Sequence, residues 1–458
     1  MSVLAHNDES AILKRALVVS GIACTCAFAG VLSALGVSLV FLGLVALAVF
    51  LLVLAYRYPL TGMGGYLAFM PVYTLAFLIA KFLGPSYIGS LEGVDRVILL
   101  LFVFILWRKN GVRPVAPDWF LLGAFLFAAT KLAGGGNLIA LFRDFNFIIA
   151  YAAGRVAILS AGREATWAKR AVWIVAVLAV VGMFEVFIVG EAPRTLLYLA
   201  VAPEGTDHGA LNAAFHGDMY TGLRESSTMF GPLQFAPLCM VALIVWWVYS
   251  RRLIPGTMIA AGLICSVTRS AWVGTAGAIS ILCALMGETK RLLQFATLIL
   301  ALFIAAIPIL GLTDYLTATK TGEDPSAESH QESLVDGLTF VLQHPFGVGL
   351  GDTEHLTAEG ERDAYSVEST YLTVAGRYGL LMLFCFVGFL ISTVRLLWPK
   401  RTRLAYVAIG VVVGFGTVMM FASLHDVFPL ACWLWFPVGL AVRSASESPD
   451  RTTSIAAA

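Results

Sequence analysis

The sequence predicts an all-α, polytopic membrane protein: a bundle of about 12 to 14 transmembrane helices with one long, partly helical external loop. Three observations support this fold class. Apolar residues make up 59% of the 458 residues and charged residues only 13%, about half of the roughly 25% found in soluble domains. The apolar residues form runs long enough for membrane helices, whereas barrel strands would alternate in segments of about ten residues. A single long polar segment, 311–371, interrupts these runs.

The apolar runs define the predicted helices in chain order. They lie at roughly 15–35, 37–56, 62–83, 94–108, 118–134, 138–160, 169–190, 232–250, 253–268, 270–287, 291–311, 371–397, 403–424 and 427–442. Several runs are short, so twelve helices remain an alternative to about fourteen. The predicted organisation is an N-terminus at 1–14, a bundle at 15–310 with a smaller external loop at 191–231, a large loop at 311–371, C-terminal helices at 372–443 and a disordered tail at 444–458.

Lysine and arginine residues predict the orientation, because positively charged loops favour the cytoplasmic side. When successive loops are assigned to alternate sides of the membrane, one side holds 18 of the 30 basic residues. They are Lys14, Arg15, Arg57, Arg108, Lys109, Arg113, Arg163, Lys169, Arg170, Arg251, Arg252, Lys290, Arg291, Lys400, Arg401, Arg403, Arg443 and Arg451. This side is therefore predicted to be cytoplasmic and to hold both termini. The segment 311–371 carries twelve acidic and two basic residues, which fits the external face.

Charge and cysteine content bear on three features: nucleic-acid binding, disulfides and metal clusters. The net charge is +1, so bulk charge gives no indication of nucleic-acid binding. The seven cysteines lie in or beside apolar runs and none lies in the long loop. This excludes a disulfide within the loop and argues against a metal cluster. We therefore expect neither a metal nor a cofactor.

Four arginines lie inside or at the edges of the apolar runs, toward the predicted external side. Arg143 begins one run beside Asp144, Arg224 precedes the run at 232–250, Arg269 lies at a turn between two runs, and Arg377 follows the long loop. Arginine is costly within a membrane and is therefore informative there. Guanidinium groups bind phosphate oxygens in pairs, so converging arginines would suit a lipid pyrophosphate. The alternative is snorkelling or ion pairing, for instance of Arg143 with Asp144.

Other candidates lie where the long loop and a later turn meet the membrane. Glu368 lies three residues before Tyr371, at the start of a run, and a carboxylate in a partly buried mouth can act as a general base. The alternative is a solvated acid favoured by the helix dipole. His344 also faces outward, as does the pair His425–Asp426, which could orient a sugar or serve as a polar connector.

The long loop contains its own predicted helix. Ser329 to Glu332 matches the pattern of a capping box and is followed by apolar residues at helical spacing. Pro345 is expected to end this amphipathic helix. Gly347, Gly349 and Gly351 then predict a tight turn. They do not form a nucleotide-binding motif, because no strand precedes them.

These motifs, in this order, resemble those of the O-antigen ligase and O-antigen polymerase superfamily of bacterial envelope glycosyltransferases. Arg224 to Pro232 is similar to that family's Arg-x-x-Gly-Thr-Phe-Gly-Asn-Pro stretch, and Thr268 to Ala271 to its Ser-Arg-x-Ala turn. His344 to Gly351 resembles its His-Pro-Phe/Leu-x-Gly-x-Gly turn. Glu368 to Leu372 and Gly376 to Leu381 occupy the places of its last two motifs. The resemblance covers roughly residues 140–395.

The resemblance implies a multispanning, inverting glycosyltransferase of the GT-C type in the bacterial inner membrane, with its active site on the periplasmic face. The implied donor is a glycan on undecaprenyl pyrophosphate, and the acceptor is another glycan or lipid A core. Glu368 would take the acceptor proton, while Arg224 and Arg269 would bind the leaving pyrophosphate. The implied substrate-binding set is Arg143, Arg224, Arg269, His344, Tyr371, Arg377, His425 and Asp426.

One departure from the family narrows the activity. Ligases of the family carry a histidine where this chain has Glu368, so the sequence favours the polysaccharide polymerase branch over transfer to lipid A core. Other polysaccharide-assembly proteins are possible partners. Two alternatives remain: a transporter or flippase for the same lipid-linked sugar, and a non-catalytic assembly subunit. The long acidic loop and the absence of an internal repeat favour the enzyme.

Overall fold

The fold is all-α, as predicted, within the part of the chain that the structure describes. The computed structural model describes residues 53, 56–73, 94–134, 138–190, 224–225, 227–229, 231–250, 252–310, 325–349, 368–424 and 427–447. Its α-helices are α1 Pro59–Phe69, α2 Val94–Asn110, α3 Ala116–Ala129, α4 Leu138–Asp144, α5 Asn146–Val156, α6 Ala161–Phe184, α7 Pro232–Tyr249, α8 Leu253–Cys265, α9 Arg269–Met286, α10 Thr289–Leu310, α11 Pro325–Gln343, α12 Thr370–Tyr378, α13 Leu380–Leu397, α14 Arg403–Val418 and α15 Phe428–Glu447. A π-helical turn, Glu185–Val189, continues α6.

The helices confirm a polytopic integral membrane protein. Among the described residues, six helical stretches are long and apolar enough to cross a bilayer, at 161–189, 232–249, 269–286, 289–307, 380–400 and 428–447. Two shorter apolar helices, α8 and α14, accompany them. The first predicted runs, at 15–35 and 37–56, lie almost entirely outside the described residues. The chain divides into two compact units, Met1–Gly65 and Tyr66–Ala458, and the site described below lies in the second.

The centre of the bundle is formed by α7 and α15, and its periphery by α10. Of the most apolar part of each helix, 83% is buried in α7 and 89% in α15, but only 11% in α10. Glycines let the helices around this centre meet backbone to backbone. A Cβ on Gly154 of α5 would lie 2.1 Å from the carbonyl oxygen of Phe436 in α15. Gly274 of α9 and Gly414 of α14 form a similar contact, as small residues do between membrane helices.

Two of the predicted spans are broken helices, which corrects the boundaries expected from hydropathy. The run 138–160 divides into α4 and α5 at Phe145, and the run 371–397 divides into α12 and α13 at Gly379. Gly379 has φ +96° and ψ 168°, a conformation that is open essentially to glycine alone. Run length did not reveal these breaks, because each run is apolar over most of its length even though Arg143, Asp144 and Arg377 lie beside the breaks.

The predicted helix of the long loop is present as α11, although its start was wrong. The helix begins at Pro325, four residues before the expected capping box at Ser329. Proline is favoured in the first helical turn because its fixed φ suits the helix and its missing N–H costs nothing there. The helix ends at Gln343, two residues before Pro345, as expected. At the other end of the chain, α15 reaches Glu447 and thus includes the first four residues of the predicted tail.

Candidate functional site

Arg224 and Arg269 are brought together at the turn between α8 and α9. The Arg224 Nε donates to the carbonyl oxygen of Ser266 at 3.1 Å. Its Nη2 donates to the carbonyl oxygen of Val267 at 3.2 Å and to Thr268 Oγ1 at 3.1 Å. Arg269 follows directly as the first residue of α9. Arg224 therefore holds the turn that positions Arg269, and both side chains remain half-buried.

The turn held by Arg224 is strained. Val267 has φ +48°, and a β-branched residue in the left-handed region is an outlier that costs about 1–3 kcal/mol. The carbonyl oxygen that Val267 presents to Arg224 is one of the contacts that offset this cost. Such strain clusters at functional sites, which is consistent with a site at this turn.

Glu225 is a fully buried carboxylate that was not among the predicted site residues. Its side chain is 0% exposed and fills the space left by two glycines. A Cβ on Gly182 of α6 would lie 2.5 Å from Glu225 Oε1, and one on Gly262 of α8 would lie 3.2 Å from it. The Glu225 N–H also donates to the Cys265 carbonyl at 3.0 Å. The segment that carries Arg224 is thus fixed between α6 and α8 by its neighbour.

Glu368 lies just before α12 and is held by two residues of α11. Its carboxylate oxygen Oε2 contacts His330 Nδ1. Its N–H donates to Ser333 Oγ at 3.2 Å. The Glu368 side chain remains 44% exposed. His330 was not among the predicted residues.

The turn after α14 docks on the same segment. The Thr370 N–H donates to the Met419 carbonyl at 2.9 Å, and Thr370 Oγ1 donates to the Ala422 carbonyl at 2.8 Å. The Leu424 N–H donates in turn to Thr370 Oγ1 at 3.3 Å. The next two residues, His425 and Asp426, were predicted candidates but lie outside the described residues.

Helix packing brings Arg269 and Glu368 to the same end of the bundle. Helices α9 and α14 run antiparallel, since Gly274 contacts Val418 whereas Leu282 contacts Gly410. The start of α9, where Arg269 lies, is therefore level with the turn that follows α14. That turn is bonded to Thr370, two residues after Glu368. The guanidinium of Arg269 and the carboxylate of Glu368 thus lie at the same end of the bundle.

Arg377 and Asp144 form an ion pair that joins the two helix breaks. Arg377 Nη1 lies 2.7 Å from Asp144 Oδ2, and the Tyr378 hydroxyl donates to the same oxygen at 2.8 Å. Asp144 is 2% exposed and precedes Phe145, where α4 gives way to α5. The ion-pair interpretation considered for Arg143 thus applies to Arg377. Arg143 itself is exposed at the end of α4.

The glycine turn after α11 docks against the break at Gly379. Val348 N–H donates to the Gly376 carbonyl and Gly349 N–H to the Arg377 carbonyl, both at 2.9 Å. The approach is so close that a Cβ on Gly347 would lie 2.5 Å from the Gly379 nitrogen. His344, at the start of this turn, is exposed and its ring lies 4.7 Å from that of Phe340. The predicted glycine turn and the predicted motif from Gly376 to Leu381 are therefore hydrogen-bonded to each other.

Tyr371 of α12 contacts the neighbouring helices α13 and α14. Its hydroxyl donates to the Gly416 carbonyl at 3.0 Å, and its ring lies 6.1 Å from that of Phe386. The side chain lines an apolar groove of about 770 Å³ between α13 and α14. These contacts anchor α12 to the bundle.

No group of three or more histidine, cysteine, aspartate or glutamate side chains suited to a metal occurs among the described residues.

Comparison with known proteins identifies one related family. Residues 254–387 match a family model described as O-antigen ligase. The match extends from α8 into α13 and includes Arg269, His344, Glu368 and Arg377, but not Arg224. No curated protein matches the chain. The match at residues 254–387 confirms, for this part of the chain, the family resemblance seen in the sequence.

Proposed function

We propose that this chain is a membrane glycosyltransferase that polymerises glycan repeat units carried on undecaprenyl pyrophosphate, at the periplasmic face of the bacterial inner membrane. The observation that carries the proposal is the arrangement of the family-matched segment, in which Arg269 and Glu368 lie at one end of the bundle. The distribution of basic residues supports a periplasmic location for that end.

The proposed reaction is a single displacement at the anomeric carbon of the donor glycan. A hydroxyl oxygen of the acceptor forms a bond to that carbon as the carbon's bond to the pyrophosphate oxygen breaks. The pyrophosphate leaves with the electron pair, and the acceptor hydroxyl loses its proton. Glu368 supplies the base function, in its simplest form by taking the proton directly.

The arginines of the α8–α9 turn would stabilise the leaving group. Arg269 is proposed to contact the pyrophosphate, because a guanidinium binds two phosphate oxygens at once and stays charged when water is excluded. Arg224, whose guanidinium binds Ser266 and Val267, would hold Arg269 in place and add positive charge. Arg143, His344, His425 and Asp426 are proposed to contact the glycan. For Tyr371 and Arg377, the contacts with Gly416 and Asp144 favour a supporting role.

Two variants test the proposal. Glu368→Gln keeps the shape of the side chain but cannot accept a proton, so polymer formation should fall by about 10²–10⁴-fold while donor binding persists. Arg269→Ala should lose donor affinity, and Arg269→Lys should retain part of it, because lysine keeps the charge without the paired geometry. Near-normal product from both Glu368→Gln and Arg269→Ala in folded protein would reject the assignment.

The same preparation separates the alternative functions. Adding lipid A core as acceptor tests for a ligase, since only a ligase would transfer the glycan to it. Protein reconstituted into vesicles that contain the lipid-linked glycan tests for a flippase. Movement of that lipid between leaflets without formation of a new glycosidic bond would favour the transporter over the enzyme.

A further inference from the structure

The contact between His330 and Glu368 is a carboxylate–imidazole pair in the candidate site. The Nδ1 atom of His330 faces the Oε2 atom of Glu368. Both atoms are buried, while the two side chains keep 35% and 44% of their surfaces exposed. The contact is therefore shielded from water, although the pair as a whole remains open to a substrate.

Helix α11 fixes this pair through two residues on one face. Residues three apart on a helix lie one above the other, so His330 and Ser333 share a face. Ser333 Oγ accepts from the Glu368 N–H at 3.2 Å, while His330 contacts the Glu368 carboxylate. The same helix lies alongside α12, since a Cβ on Gly376 would lie 3.3 Å from Phe340. The geometry of the pair is thus set by packing as well as by charge.

An imidazole whose Nδ1–H donates to a carboxylate has its other nitrogen, Nε2, available as a proton acceptor. The carboxylate fixes the tautomer and stabilises the imidazolium that forms. We propose that His330 and Glu368 act as a catalytic dyad, in which His330 Nε2 accepts the proton of the acceptor hydroxyl and Glu368 orients the imidazole. This inference rests on the proposed function and assigns its base to the pair rather than to Glu368 alone.

The step balances without another reactant. The O–H bond of the acceptor breaks and its proton moves to Nε2, while the acceptor oxygen bonds to the anomeric carbon. The bond from that carbon to the pyrophosphate oxygen breaks, and the pyrophosphate keeps the electron pair. The imidazolium then returns its proton to water, which restores the dyad for the next cycle.

A cycle of variants tests the dyad on the full-length protein in vesicles. The donor is lipid-linked glycan extracted from the membranes of the native cells, and the product is measured as polymer. His330→Gln and Glu368→Gln should each lower the rate by about 10²–10⁴-fold. The double variant should be no slower than the slower single variant, because residues that act as a unit are not additive. Glu332→Gln, which removes an exposed carboxylate from the same helix, is the matched control and should stay near the wild-type rate.

The pH profile distinguishes a dyad from a structural contact. In peptides, imidazole titrates near pH 6.5 and glutamate near 4.3, so His330→Gln should move the acid limb of its residual activity to lower pH. The other charged residues of the described elements around the pair are Glu328, Glu332 and Asp336 on α11 and Arg377 on α12. They are unchanged in this variant, so they would not produce the shift.

Each outcome decides between the possibilities, provided that thermal unfolding shows the variants to be folded. Wild-type rates in His330→Gln would overturn the dyad and leave the proposed function intact, with Glu368 as the sole base. Losses that multiply in the double variant, with an unchanged pH profile, would give His330 a structural role and also overturn the dyad. No polymer from the wild-type protein would instead reject the proposed function, and the dyad with it.

Discussion

Replacing Gly379 with alanine should release the long loop from the helix bundle. Gly379 lies between α12 and α13 with φ +96° and ψ 168°, which only glycine adopts at low cost. A Cβ at this position would lie 2.6 Å from the carbonyl carbon of Phe346. Because this contact is with backbone, neither a rotamer change nor a small side-chain shift relieves it. The turn after α11 would have to move away.

The structure sets the size of the effect. Three backbone hydrogen bonds join the two segments, from Val348 to Gly376, from Gly349 to Arg377 and from Leu380 to Pro345, at 2.8–2.9 Å. At about 0.5–1.5 kcal/mol each, they contribute roughly 1.5–4.5 kcal/mol to docking. Backbone strain adds about 1–3 kcal/mol to the cost of the substitution. A loss of about 3 kcal/mol raises the population of the undocked loop by roughly 10²-fold, since 1.4 kcal/mol is a factor of ten.

Hydrogen exchange measures this release directly. The N–H groups of Val348, Gly349 and Leu380 should exchange about 10²-fold faster in Gly379→Ala than in the wild type. Gly277→Ala is the matched control, because a Cβ there meets nothing within 4 Å and the residue lies within α9. That variant should be neutral or slightly stabilising. Unchanged protection of the three amides in Gly379→Ala would refute the reasoning that this glycine permits docking.

Two further predictions concern the pair at the helix breaks and the orientation of the chain. Asp144→Asn should destabilise the protein by about 1.5–3 kcal/mol, because Arg377 and Tyr378 lose a charged acceptor, and thermal unfolding against the exposed Asp336→Asn should detect it. Equal effects of both substitutions would contradict a special role for Asp144. Reporter fusions at Ser326 and Lys400 should report opposite sides of the membrane, and the periplasmic site would be untenable if both reported the same side.

The sequence was sufficient for the fold class and for most helices, because run length and composition decide those features. Arg269 was correctly expected at a helix-to-helix turn, since polar residues separated two apolar runs. The breaks at Phe145 and Gly379 could not be predicted from hydropathy. A glycine in an apolar run is also consistent with close packing of two continuous helices, as at Gly154.

The partners of the candidate residues were harder to predict than the residues themselves. His330 lies 38 positions before Glu368, and only the path of α11 along α12 brings them together. Glu225 was visible in the sequence beside Arg224, but its burial depends on Gly182 and Gly262, which come from two other helices. A charged residue within an apolar protein is a useful signal. Its role depends on long-range contacts that local patterns do not contain.

The described part of the long loop contributes residues to the candidate site. One end of α11 contributes His330 and Ser333 to the environment of Glu368. Its other end leads into the glycine turn that bonds to the break at Gly379. Because α12 lies between these two attachments, a change at Gly379 should also loosen the contact at Glu368. The close approach of Gly347 and Gly379 would then help to keep His330 in contact with Glu368. Glu368 lies about ten residues before Gly379, at the other end of α12.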